Sequence, residues 1–439
     1  MNFKKTLALG AALAALPVAA FAQDAPAPTF DEIGPYLMTT LLFLVGGFLV
    51  FWMAAGFAML EAGLVRSKNV TTQLTKNIAL FSLAAIMYWL VGFNLMYPGD
   101  FNGYVGGFFN ITSLEPVGLA AADASLDYAS VASDFFFQLM FCATTASIVS
   151  GTLAERIKLW PFLIFVVVLT GFIYPIEASW QWGGGWLSEA GFSDFAGSTL
   201  VHAAGGFAAL AGAIVLGPRI GKYAKDGKVI PMPGSNLALA TLGTFILWLG
   251  WFGFNGGSQL AAGTVGDITD VGRIFANTNM AASAGAVAAL ILTQIMYKKV
   301  DLTMVLNGAL AGLVSITAGP LDPSLFGALW IGAVGGVIVV FTVPLLDKLK
   351  IDDVVGAIPV HLIAGFWGTL VVPVYTDGTS FGTQIMGFAA IGAFVFIVSM
   401  VVWFILKATM GIRVSEEAEI MGLDMSELGM EAYPEFSKG

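Results

Sequence analysis

The sequence predicts an all-α polytopic membrane protein. Eleven transmembrane helices are expected, arranged as an inverted 5+5 repeat plus one extra helix, with the N-terminus outside and the C-terminus cytoplasmic. Three observations predict this. Apolar stretches long enough to cross a bilayer recur along the chain, the basic residues alternate with them in one orientation, and one short pattern occurs once in each half. Composition agrees: of 439 residues, 57% are hydrophobic and 11% charged, with a mean hydropathy of +0.84, whereas a soluble domain carries about 25% charged residues.

The chain opens with Lys4 and Lys5, an apolar run from Leu7 to Ala20, and a small-x-small site at Ala20-Phe21-Ala22. This reads as a cleavable signal peptide over 1–22, because the apolar run is short for an uncleaved first helix. An exported tail is expected over 23–35, a membrane domain over 36–408 and a cytoplasmic regulatory tail over 409–439. Without residues 1–22 the chain holds 17 Lys+Arg against 29 Asp+Glu, a balance of −12. That sign excludes nucleic acid as a partner, since such footprints are basic. A single cysteine, Cys142, excludes an intramolecular disulfide and a multi-cysteine metal site. With only two histidines, neither a metal nor a cofactor is expected.

Spans of about 17–25 apolar residues fall near 36–62, 77–97, 134–154, 160–178, 198–217, 236–257, 278–297, 303–319, 325–346, 355–374 and 384–408. Cytoplasmic loops hold the excess Lys and Arg. With the N-terminus outside, the inner connections contain Arg66, Lys68 and Lys76; Arg156 and Lys158; Arg219, Lys222, Lys225 and Lys228; Lys298 and Lys299; and Lys348 and Lys350. The C-terminal end adds Lys407, Arg413 and Lys438, so only Arg273 of the 17 departs from the pattern. A miscounted span would scramble that alternation.

The two histidines end the same pattern, D-x-x-G-x-x-x-V-H, at Asp194 to His202 and at Asp353 to His361. Each aspartate stands near a helix start, where it can cap free N–H groups and offset the positive helix end. The alternation places the histidines on spans five and ten, which run in opposite directions. An ionisable group at membrane depth is expensive and marks a functional site. Transporters built from inverted repeats place their site near the midplane. A chance match of one short pattern is the competing reading, and the matched positions in both halves weigh against it.

Several blocks carry a family resemblance. Ala55-Gly56-Phe57-Ala58-Met59-Leu60-Glu61-Ala62-Gly63 with Arg66-Ser67-Lys68-Asn69 resembles the first-helix signature of the ammonium transporter (Amt/Rh) superfamily. Asp194-Phe195-Ala196-Gly197-Ser198 leading to His202-Ala203-Ala204-Gly205-Gly206 is similar to its hallmark motif. Further matches are Trp251-Phe252-Gly253-Phe254-Asn255-Gly256-Gly257-Ser258, His361 with Gly365 and Gly368, Gly151-Thr152-Leu153-Ala154-Glu155-Arg156 and Asn307-Gly308-Ala309-Leu310-Ala311-Gly312-Leu313. The resemblance covers essentially the whole mature chain, and Trp182 favours the bacterial Amt branch over Rh.

The resemblance implies a homotrimer with one pore per subunit, in the bacterial inner membrane and in contact with its lipid. Phe141 and Phe254 would be the stacked rings that close the outer pore. Trp182 and Ser258, with Phe141, would form an external ammonium site, His202 and His361 would line the pore as a pair, and Asp194 would hold the outer vestibule together. Phe137 and Trp248 lie near and receive no role. The tail Gly411-Ile412-Arg413-Val414-Ser415-Glu416-Glu417-Ala418-Glu419 with Gly422-Leu423-Asp424 resembles the family's cytoplasmic segment. In relatives that segment packs under the neighbouring subunit, and a PII-type regulatory protein can plug the pores. Composition alone would make it a solvated acidic tail.

These residue types suit the chemistry. Burying a bare cation costs tens of kcal/mol in the idealised limit, so a selective pore replaces part of the hydration first. Aromatic faces at Phe141 and Trp182 attract a cation by about 0.5–2 kcal/mol each, although with 35 Phe and 11 Trp most rings in this chain are packing or interfacial. The Ser258 hydroxyl offers an acceptor, to which ammonium, unlike sodium or potassium, can donate. Acidic outer loops (Asp100, Glu115, Asp123, Asp127) raise the local cation concentration. An apolar lumen favours neutral imidazoles, which can share a hydrogen and pass ammonia along. The expected function is therefore an ammonium transporter or channel, not an enzyme. It would deprotonate ammonium and conduct ammonia with or without the proton. The alternative is an ammonium sensor or transceptor with little net transport. An Rh-like gas channel is disfavoured by Trp182 and the signal peptide, and no nucleophile motif supports an intramembrane hydrolase.

Overall fold

Eleven apolar helices carry the chain back and forth in the structure, a computed structural model that describes residues 29–107 and 128–436. They are α1 (Phe30–Leu64), α2 (Ser67–Met96), α3 (Val131–Thr152), α4 (Leu159–Ser179), α5 (Ser198–Leu216), α6 (Leu237–Gly257), α7 (Val265–Tyr297), α8 (Leu302–Ile316), α9 (Leu325–Lys348), α10 (Ile358–Val374) and α11 (Phe381–Thr409). Among the described residues, nine of these are long and apolar enough to cross a membrane, while α8 and α10 are shorter. The expected signal peptide at 1–22 lies outside the described residues, as do Glu115, Asp123 and Asp127 of the acidic loop.

Three helices start earlier than hydropathy predicts, each for a polar reason. α1 begins at Phe30, inside the stretch expected to be an exported tail, because Glu32 accepts a hydrogen bond from the Thr29 N–H at 2.7 Å and closes a capping box. α7 begins at Val265 rather than near 278, where Thr264 and Asp267 cap reciprocally at 3.1 and 2.9 Å. Its first turns carry Asp270 and Arg273, which hide a helix from a hydropathy window. α2 begins at Ser67 rather than near 77 because its first turns bury Gln73, Lys76 and Asn77.

Small residues let the helices approach closely. α1 lies along α6 where a Cβ on Gly243 would sit 2.3 Å from the Leu60 nitrogen and one on Gly253 2.6 Å from the Gly46 oxygen. α3 and α5 are the most enclosed spans, and they carry Phe141 and His202. π turns interrupt α2 at Tyr88–Gly92 and α4 at Leu169–Ile173, and open α5 at Ser198–Ala203 and α10 at Ile358–Ile363. Such turns concentrate at functional sites, and the last two hold the histidines.

The connections expected to be cytoplasmic meet at one end of the bundle. Arg66, after α1, pairs with Glu155, after α3, at 2.5 Å. Arg219, after α5, reaches Asp352, after α9, with Nε–Oδ2 at 2.8 Å and Nη2–Oδ1 at 2.9 Å, and approaches Glu155 at 3.3 Å. Burial would raise the Asp352 carboxyl, but the hydrogen bonds and charge of Arg219, with Arg156 nearby, hold it well below the usual carboxylate range. The C-terminal tail docks on this same end of its own chain. Glu419 pairs with Arg413 at 2.7 Å and accepts from the Ile220 N–H at 2.7 Å. Asp424 caps α2 through the N–H groups of Thr71 and Thr72 at 2.9 and 2.7 Å.

Candidate functional site

The repeated D-x-x-G pattern has one structural meaning in both halves. Asp194 accepts four backbone N–H groups, those of Gly197, Ser198, Thr199 and Leu200, at 2.8–3.0 Å. Asp353 accepts from Gly356 and Ile358 at 3.2 and 2.7 Å and from the Thr152 hydroxyl at 3.1 Å. The glycines, at φ +103° for Gly197 and +81° for Gly356, turn the chain from aspartate into helix through left-handed backbone that costs an L residue about 1–2 kcal/mol. A Cβ would also lie 2.7 Å from Val201 Cγ2 in one case and 2.6 Å from Asn307 Nδ2 in the other. Gly197→Ala and Gly356→Ala are each expected to lower the unfolding midpoint of the detergent-solubilised protein. An unchanged midpoint in thermal unfolding would show that the turn relaxes freely.

Each histidine follows within the π turn so established, and the two rings meet. His202 and His361 are 0% and 4% exposed, with their Nδ1 atoms 3.1 Å apart and ring centroids at 5.1 Å, inclined by 21°. His202 is stacked on Trp251 at 4.8 Å and on Phe254 at 5.3 Å. Trp251 is itself held by a 2.8 Å hydrogen bond from Nε1 to the Thr317 hydroxyl. Its contact with the imidazole was missed by the sequence reading, although the residue stands in a quoted motif; sequence carries no signal that separates this tryptophan from ten others.

On one side of the pair, the Phe254 ring lies 4.1 Å from that of Phe141, inclined by 34°. Phe141 meets Trp182 edge-on at 5.9 Å and Phe137 at 4.8 Å, so Phe137 supports the ring pair from behind. Beyond Phe141 opens a cavity of about 240 Å³ lined by Phe141, Trp182, Ser258, Tyr97, Asp134 and Gln138. The three residues expected to form an external site thus share one cavity. Ser258 donates to the Phe254 carbonyl at 2.8 Å, which leaves its lone pairs for a donor. Trp182 Nε1 is tied to the Asp194 carbonyl at 2.9 Å, so the ring face is fixed by the same aspartate that caps α5. Asp134, not singled out from sequence, adds a buried carboxylate oxygen, Oδ1, with no hydrogen-bond partner. Trp248, given no role, packs at the edge of the core.

On the other side, His361 lines a cavity of about 10 Å³ with Phe57, Glu61, Asn307, Val355 and Val360. Asn307 and Val355 also line a larger cavity of about 380 Å³ with Arg219, Asp301, Gly356 and Pro359, at the end where the basic connections gather. The cavity beside Phe141, the ring pair, the imidazole pair and the cavity beside Arg219 therefore follow one another through shared residues. Among the described residues no cluster of His, Cys, Asp or Glu is suited to holding a metal ion.

Comparison with known proteins agrees with this architecture. Residues 41–433 match the model of the Ammonium Transporter Family. The chain is 42% identical over 423 residues to ammonium transporter Amt2 of Archaeoglobus fulgidus, covering 90% of this chain and 87% of that one. It is 41% identical over 426 residues to the putative ammonium transporter sll1017 of Synechocystis, covering 96% and 95%. Among solved structures, a protein described as a sensor Amt protein superposes with a TM-score of 0.82 at 35% identity, covering 90% of this chain and 99% of the other. Candida albicans Mep2 superposes with a TM-score of 0.79 at 25% identity, covering 93% of each.

Proposed function

Because the chain belongs to the ammonium transporter family and is a multi-pass helical membrane protein, we propose that it moves ammonium across a bacterial inner membrane, N-terminus outside and tail inside. The observation that carries this reading is the unbroken succession from outer cavity through Phe141 and Phe254 to the histidine pair and the inner cavity. Ammonium enters the outer cavity, where the faces of Phe141 and Trp182, the Ser258 hydroxyl and the Asp134 carboxylate replace part of its hydration. It loses a proton before the apolar constriction, since the neutral molecule crosses at a far smaller desolvation cost than the cation. Ammonia then passes the phenyl rings and travels along the imidazole edges, each ring nitrogen donating or accepting according to its tautomer.

The subunit works as a homotrimer, each copy with its own pore. The tail, whose Glu419 and Asp424 clamp the connections around the inner cavity, is the element through which a PII-type regulator acts on the pore. Ammonium pulses on proteoliposomes test the transport reading: the wild type is expected to change the internal pH and to carry a transient current if the proton crosses too. Phe254→Ala removes one ring of the constriction and leaves Trp182, Phe141 and Ser258 in place. It is expected to raise leak and weaken selectivity against potassium while ammonium still competes at the outer site; normal flux and selectivity would make the ring mere packing. A second reading, a sensor with little net transport, is favoured by the likeness to the sensor Amt protein. Ammonium binding without flux in the same vesicles would select it.

A further inference from the structure

Glu61 is 1% exposed in the last turn of α1, and neither the outer cation site nor the histidine pair uses it. An intramembrane carboxylate is costly and marks function by default. It lies on α1 and lines, together with His361, the small cavity on the inner side of the imidazole pair. Three side chains donate to its Oε2: Asn77 at 2.6 Å, Ser150 at 3.1 Å and Gln73 at closer range. Among the described residues no side chain donates to Oε1. That atom lies beside Val355, another residue of the cavity wall, since a Cβ built on Gly151 would be 3.0 Å from Oε1 and 2.5 Å from Val355 Cγ2.

A compensating charge stands close by. Lys76, 1% exposed, donates to Gln73 Oε1 at 3.0 Å and to the Ser150 carbonyl at 2.9 Å. Its ammonium sits 4.7 Å from the centre of the Phe162 ring. Lys76 and Glu61 are joined through Gln73 and Ser150 rather than by direct contact, and such a buried pair of opposite charges is weak evidence for stability, because apolar residues of similar volume often serve as well. A pair held only to staple α1, α2 and α3 would have no need to face the conduction path. The cavity of about 10 Å³ is the size that admits a single water.

We propose that Glu61 is the inner proton acceptor of the pore, taking the proton that the histidine pair delivers and returning it to ammonia on the inner side. This rests on the transport reading above. His361 Nδ1 is engaged with His202, so Nε2 is left to hand the proton on. As His202 Nε2 takes the proton lost by ammonium and His202 Nδ1 passes its own to His361 Nδ1, the His361 Nε2–H bond breaks, and a bridging water forms a new O–H bond and passes one of its own protons to Glu61 Oε1. The carboxylic acid then protonates an ammonia molecule that takes the water's place in the small cavity; ammonium leaves past Asn307 and Val355 into the larger cavity and the carboxylate is restored. Gln73, Asn77 and Ser150 hold Oε2 throughout, and Lys76 balances the ionised state.

The test is the charge moved per ammonia transported, measured on the same proteoliposomes by current and by internal pH, for wild type, Glu61→Gln and Glu61→Asp. Glu61→Gln keeps the volume and one acceptor oxygen for Gln73, Asn77 and Ser150 but takes up no proton, and its ratio is expected to fall at least tenfold while ammonia flux stays within about twofold. Glu61→Asp, with its carboxylate drawn back, is expected to give an intermediate ratio. An unchanged ratio in whichever variant assembles overturns the proposal, as does an equal fall of current and flux in both, which is the signature of a structural staple. A wild type that passes ammonia without charge also overturns it and leaves the transport reading standing. A wild type with no ammonia flux removes the transport reading itself.

Discussion

Replacing either imidazole, His202→Ala or His361→Ala, is expected to lower ammonium transport by about a hundredfold, the lower end of what positioned proton-exchanging side chains contribute. The protein is still expected to fold and assemble. The pair lies between two cavities, with Nδ1 atoms 3.1 Å apart and aromatic walls at Trp251 and Phe254. Removing one ring leaves its partner buried without a hydrogen-bonding neighbour and opens a space between apolar walls. A buried polar group left unpaired costs about 1–3 kcal/mol, so some loss of thermal stability accompanies the loss of transport. The remainder of the core is untouched. The measurement is ammonium-driven change of internal pH in proteoliposomes, with elution volume as the check on assembly. Unchanged uptake in both variants would reduce the pair to lining.

The second large effect is on stability. Asp194→Asn is expected to destabilise the protein by about 2–6 kcal/mol, because two of the four N–H groups now received by the carboxylate lose their acceptor at about 1–3 kcal/mol each. The variant also loses a negative charge at the positive end of a helix, worth up to about 2 kcal/mol when partly buried. Asp194 is fully buried, and its carbonyl fixes Trp182, so the outer cavity is expected to loosen together with α5. Asp353→Asn is expected to cost less, since this carboxylate accepts two backbone N–H groups and a hydroxyl rather than four backbone groups. Thermal unfolding midpoints of the two variants provide the comparison. Equal midpoints would show that the two ends of the repeat carry the same load, contrary to their hydrogen-bond counts.

Much of this molecule is legible in its sequence because the bilayer restricts what a chain can do. A spanning segment satisfies its own backbone, which leaves helices as the solution here, and hydropathy then finds them. It failed at the ends of α1, α2 and α7, where caps at Thr29 and Thr264 and buried polar side chains at Gln73 and Lys76 extend helices beyond the apolar run. The histidines, their aspartates and their glycines were legible because a repeated pattern holding both of the chain's histidines is rare in an apolar chain. Glu61, Asp134 and Trp251 were not marked out: each is one residue among many of its kind until its neighbours are known.

The sequence by itself determined the all-helical membrane class, the family resemblance and the candidates His202, His361, Phe141, Phe254, Trp182, Ser258 and Asp194, since each depends on residue type and order along the chain. Only the tertiary structure decided that the two imidazoles touch, that Asp194 orders Trp182 as well as α5, and that Glu61 shares a cavity with His361. These are proximities between residues 12, 159 and 300 (361 − 61) positions apart, and in this chain of close-packed helices they are set by which faces meet, a property that no local pattern encodes.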